Sequence, residues 1–90
     1  ELVDLDNTIR EVVNEVEKNQ QGETLIIVTA DHETGGLSLV GWDKKNGCAK
    51  LAWSTHDHTG IPVPVFAYGP GSELFTGAYQ NNDIFFIFNQ

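Results

Sequence analysis

Apolar residues recur at helical spacing over residues 4–19, where Leu5, Ile9, Val12, Val13 and Val16 form one stripe. Asp4 or Asp6 suits the first turn and Lys18 the last, as the helix dipole favours. Gln20-Gln21-Gly22 ends the pattern, with Gly22 able to leave the helix in the left-handed conformation. Residues 24–29 then read Thr-Leu-Ile-Ile-Val-Thr, short, β-branched and apolar on both faces. That pattern predicts a central strand covered on both sides. A helix running into a buried strand is half of a β-α-β unit, whose other strand would lie upstream of Glu1.

Residues 30–36 predict a loop at the carboxyl end of that strand. Residues 37–42 and 49–54 predict two strands joined by residues 43–47, with Asn46-Gly47 as the turn. A polar loop covers residues 55–60. Residues 63–68 predict another strand, its start kept out of the ladder by Pro62 and Pro64. Gly69-Pro70-Gly71 breaks it. Asp83 can cap a last helix through Ile84, Phe85 and Phe88, although residues 84–88 read equally well as a strand.

Composition narrows the partners. The 90 residues allow one small domain. Thirteen acidic residues give a formal net charge of −8, which repels nucleic acid and anionic membrane. No apolar run is long enough to cross a bilayer as a helix. The single cysteine, Cys48, excludes an internal disulfide and has no activating basic neighbour in sequence. The chain contains no methionine and opens on neither a basic nor an apolar run, so Glu1 is expected to be internal to a longer protein.

The candidate chemistry sits in the two polar loops, which hold all three histidines. Asp31-His32 directly follows the apolar strand, where open α/β sheets gather ligands and catalytic groups. A carboxylate and an imidazole are donors that zinc accepts when no thiolate is offered. The second cluster is His56-Asp57-His58. On spacing alone each cluster also reads as a loop capped by its own hydrogen bonds, and Thr34-Gly35-Gly36 reads as a flexible turn.

The exact residues add a family. Residues 24–36, ending in Ala30-Asp31-His32-Glu33-Thr34-Gly35-Gly36, closely resemble the strand and metal loop of alkaline phosphatases. His58-Thr59-Gly60 followed by Val63-Pro64-Val65-Phe66-Ala67-Tyr68-Gly69-Pro70-Gly71 resembles the family's second metal loop and the strand after it. Val3-Asp4-Leu5-Asp6 resembles the segment placed before them. The resemblance implies the C-terminal part of a three-layer α/β/α sandwich, with residues 1–90 as a C-terminal fragment of the domain.

It also implies hydrolysis of phosphate monoesters through a phosphoserine intermediate, with two zinc ions and one magnesium ion. By the same resemblance, Asp31 and His32 bind the zinc beside the serine, and His58 binds the zinc beside the leaving oxygen. His56 and Asp57 receive no ligand role. Glu33 is expected to be a surface or supporting carboxylate. The family's nucleophilic serine and phosphate-gripping arginine match nothing in this chain, and Ser38 reads as a strand residue. The chain alone is therefore expected to be inactive. The competing expectation is a non-catalytic metal-binding or interaction module that reuses this half of the fold. Exposed apolar area predicts self-association into a homo-oligomer. Family resemblance alone implies a periplasmic or extracellular location.

Overall fold

The computed structural model describes residues 1–19 and 22–90, which divide into two compact units. Unit 1 joins residues 1–28 to residues 65–90, and unit 2 is residues 29–64.

In unit 1, helix α1 spans Leu2–Asn19. Its start two residues before the expected point puts Asp4 inside the first turn rather than at the cap. Asp6 pairs with Arg10 one turn on, at 3.2 Å. The expected stripe is half-buried at Ile9, Val13 and Val16, while Leu5 and Val12 stay exposed. Of the expected helix exit, Gln20 and Gln21 lie outside the described residues, and Gly22 has a φ of +85°.

Strand β1 spans Ile26–Val28 and β4 spans Phe66–Tyr68. They pair antiparallel, with Ile27 opposite Ala67. β1 is only half-buried along its length and has β4 as its one neighbour among the described residues, so the central strand covered on both sides that the sequence predicts is not found as such: no second strand of the described chain lies against its other edge. β4 is shorter than the expected strand because Pro62 and Pro64 offer no N–H to a ladder. The Tyr68 hydroxyl donates to the Glu17 carboxylate at 2.7 Å, tying β4 to α1.

A 3₁₀ turn at Ser72–Phe75 follows, which periodicity did not predict. It carries Phe75, 4% exposed and the one buried apolar side chain among the described residues. The Tyr79 hydroxyl donates to the Phe75 carbonyl, and Phe88 meets the Phe75 ring edge-on at 5.3 Å between centroids. Phe88 belongs to helix α2, Asp83–Phe88, so the ambiguous apolar run is helical. Asp83 does not cap it. Asn82 occupies that position without a side-chain cap, and the Asp83 carboxylate accepts the Gln80 N–H instead.

Unit 2 holds a hairpin of β2, Ser38–Asp43, and β3, Cys48–Ala52. A register shift between Leu39 and Gly41 marks a bulge at Val40. Asp43 builds the turn, accepting the backbone N–H groups of Lys45 and Asn46 and the Asn46 side-chain amide. Gly47 closes it with a bond to the Asp43 carbonyl at 2.8 Å. Among the described residues no helix is long and apolar enough to cross a membrane.

Candidate metal centre

Both candidate loops lie within unit 2. The first, residues 29–37, is stitched to the second, residues 53–60, mainly by backbone. The Gly35 N–H donates to the Asp57 carbonyl at 2.8 Å. The Gly35 carbonyl accepts the Ser54 N–H at 2.8 Å and the Thr55 N–H at 3.3 Å. Gly35 and Gly36 are both buried with positive φ. A Cβ on Gly35 would lie 2.6 Å from the Trp53 ring, and one on Gly36 would lie 2.0 Å from the Ser54 Oγ. Thr34-Gly35-Gly36 is therefore a close backbone contact and not merely a flexible turn, because only a residue without Cβ fits.

Each histidine loop is also capped locally, as the plainer reading of the sequence expected. The Asp31 carboxylate accepts the His32 N–H at 3.0 Å, and the Asp57 carboxylate accepts the His58 N–H at 2.9 Å. The two imidazoles nevertheless meet. The His32 and His58 rings stack with centroids 4.2 Å apart and planes 22° from parallel. His56 takes no part in this stack.

His32 Nδ1 lies 2.6 Å from the Glu33 carbonyl. A carbonyl oxygen only accepts, so Nδ1 carries the proton and the neutral ring keeps its lone pair on Nε2. That nitrogen faces Asp31 Oδ2 at 3.5 Å. Two ligands about 2.1 Å from a tetrahedral zinc stand roughly 3.4 Å apart. Asp31 and His32 thus fit two positions of one such ion. No group of three His, Cys, Asp or Glu side chains converges on a single metal position among the described residues.

Glu33 is the residue whose part sequence reasoning missed. One carboxylate oxygen accepts the Gly36 N–H at 2.6 Å, and the other accepts the Thr59 N–H from the opposite loop. The bonds from Thr59, then the one from Gly36 and the nearby His32, hold its carboxyl below the usual carboxylate value. A glycine three residues after a carboxylate was a local hint of the first bond. The second spans 26 residues and left no local signal. The Ser38 hydroxyl donates to the Gly36 carbonyl, as suits the strand residue the sequence predicts, and the Ser54 hydroxyl donates to the Gly35 carbonyl.

A carboxylate and two histidines gathered in the loops of an α/β chain form an arrangement whose donors suit a metal ion. The chain belongs to the alkaline phosphatase family, whose model matches residues 40–90. It is 58% identical over 52 residues to alkaline phosphatase 4 of Bacillus subtilis strain 168, an overlap covering 46% of this chain and 11% of the relative. It also matches the structure of the alkaline phosphatase from the Antarctic bacterium TAB5. The TM-score is 0.78 with 43% identity, over 93% of this chain and 26% of that one. A mutant of the TAB5 enzyme, similar at a TM-score of 0.76 and 40% identity over the same shares of the two chains, has Mg bound in the M3 site. The chain therefore spans about a quarter or less of the length of these relatives.

Proposed function

We propose that this chain supplies part of the metal centre of an alkaline phosphatase that hydrolyses phosphate monoesters through a phosphoserine intermediate. Asp31 and His32 would hold the zinc beside the nucleophile, and His58 the second zinc. The observation that carries this reading is the apposition of His32 and His58 at 4.2 Å, with Asp31 at 3.5 Å from His32 Nε2. Paired ions in phosphoryl-transfer sites sit about 3.5–4 Å apart, and this closeness of side chains from the two loops supports reading them as ligands of neighbouring ions. When bound, the ions would act as Lewis acids on the attacking and leaving oxygens, and magnesium would complete the centre, as the magnesium-bound TAB5 mutant supports.

The chain's own residues bind and orient. Glu33 fixes the His32 tautomer through its carbonyl, Asp31 provides the negative charge, and His58 extends the site into the second loop. Ser38 and Ser54 donate to glycine carbonyls, which supports the view that these residues alone do not turn over substrate. The reading includes residues 1–90 as a C-terminal fragment of the domain, export to the periplasm or cell exterior, and self-association through exposed apolar area such as Phe85, Phe86 and Phe88.

Zinc calorimetry on the purified chain tests the metal assignment, with His32→Ala and His58→Ala beside the parent. Zinc uptake weakened in both variants is the expected result. Uptake unchanged in both removes these histidines from the site. Turnover of a simple aryl phosphate by the chain alone would overturn its predicted inactivity. A monomer by light scattering at high concentration would overturn the self-association.

A further inference from the structure

Glu33 touches both histidine loops through different atoms. Its carbonyl oxygen meets His32 Nδ1 at 2.6 Å. Its carboxylate accepts the Gly36 N–H within its own loop and the Thr59 N–H across the gap. Thr59 directly follows His58, and Asp57, which precedes it, is held by the Gly35 N–H at 2.8 Å. His58 is thus secured on both flanks, by Gly35 on one side and Glu33 on the other. Gly36 matters to the second tie because its bond, together with the bond to Thr59, occupies both carboxylate oxygens and selects one side-chain conformation.

We propose that Glu33 is a positioning residue that sets the distance between the two metal loops, orienting His32 with its backbone and locking His58 with its side chain. The role in metal binding rests on the function proposed above. The loop geometry does not. Partners that orient metal ligands without touching the ion typically change metal affinity about 10- to 100-fold when removed. Glutamine keeps one acceptor oxygen but replaces the other with an N–H₂ donor, so it can satisfy only one of the two amides. Aspartate keeps both oxygens on a shorter arm.

The test pairs a metal-free and a metal-loaded measurement on the full chain. Without metal, NMR should show a ring-to-ring contact between His32 and His58 and slow exchange of the Gly36 and Thr59 amides. In Glu33→Gln the ring contact should weaken and one amide should lose protection, and Glu33→Ala should lose both. With zinc alone, calorimetry should give affinities falling from parent to Gln to Ala, by about 10- to 100-fold over the series, with partial recovery in Glu33→Asp. A tie that served folding alone would lower stability without this graded change in the ring contact. If Glu33→Ala fails to fold, the parent's amides and Glu33→Gln decide the matter. Rapid exchange at both amides in the parent, or a ring contact unchanged in Glu33→Gln, overturns the proposal. A parent that shows the ring contact but takes up no zinc overturns the metal-centre reading and leaves the clamp standing.

Discussion

Replacing Gly36 with alanine tests the close contact on which the candidate site depends. Two costs arise, and they can be separated. Gly36 has a φ of +61°, so any residue with a Cβ pays roughly 1–2 kcal/mol for the left-handed backbone. The new Cβ would also lie 2.0 Å from the Ser54 Oγ and 3.2 Å from the Thr59 Cγ2. Forcing an extra methyl group into such a contact costs about 1–3 kcal/mol. The variant should therefore lose about 2–5 kcal/mol.

Gly47→Ala is the control. Its φ of +65° is nearly the same, but nothing lies within 4 Å of its Cβ position, so only the backbone cost applies. The excess of Gly36→Ala over Gly47→Ala isolates the steric part. Adding Ser54→Ala to Gly36→Ala should return much of that excess, less about 1 kcal/mol for the lost Ser54 hydroxyl bond to Gly35. Urea unfolding read by tryptophan fluorescence is the assay. Both tryptophans of the chain, Trp42 and Trp53, lie in unit 2, so the signal reports the unit that is perturbed. Equal losses in Gly36→Ala and Gly47→Ala, or no coupling to Ser54→Ala, would refute the steric argument.

Phe75→Ala should lower stability by about 3–5 kcal/mol, the range for deleting a buried aromatic ring, with the loss read by far-ultraviolet circular dichroism. The Glu17 carboxylate accepts the Tyr68 O–H and, through this bond and then its charge, raises the phenol above its usual 10.0. The bond's contribution is therefore complete below pH 10.0 and lost as pH rises through the higher folded value, and Tyr68→Phe should unfold with a flatter alkaline pH profile. The Asn46 side chain, followed by the Asn46 and Lys45 backbone amides, holds Asp43 below its usual 3.8, so the turn's support is present above pH 3.8 and fades as pH falls through the lower folded value. Hydrogen exchange at Lys45 and Asn46 should accelerate in Asp43→Ala, and unchanged protection would remove Asp43 from the turn.

The elements legible in sequence were those with strong local periodicity. The stripe of Ile9, Val13 and Val16 placed α1, and Asn46-Gly47 placed the hairpin turn, because each depends on neighbours within a few residues. The 3₁₀ turn at Ser72–Phe75 was not legible, since a single turn after Pro70 has no period to detect. The apolar run from Ile84 to Phe88 was ambiguous for the related reason that it is apolar on every face. It resolves as a helix where Phe88 packs on Phe75.

The candidate site divides along the same line. Asp31, His32 and His58 could be named from local residues and resemblance, but their apposition could not. It depends on Gly35 and Gly36 accepting Trp53 and Ser54 at distances that forbid a Cβ, and on a carboxylate reaching an amide 26 residues away. Backbone amides carry no sequence identity, so a bond to the Thr59 N–H leaves no mark on the choice of residue at that position. The mark falls on the acceptor instead, and in this loop the acceptor is Glu33. A carboxylate next to a predicted ligand and followed by paired glycines has two nearby reasons to be held, an N–H it can cap and a backbone that can approach closely. That combination distinguishes Glu33 from acidic residues such as Asp4 and Glu73, which are exposed in the first turns of helices.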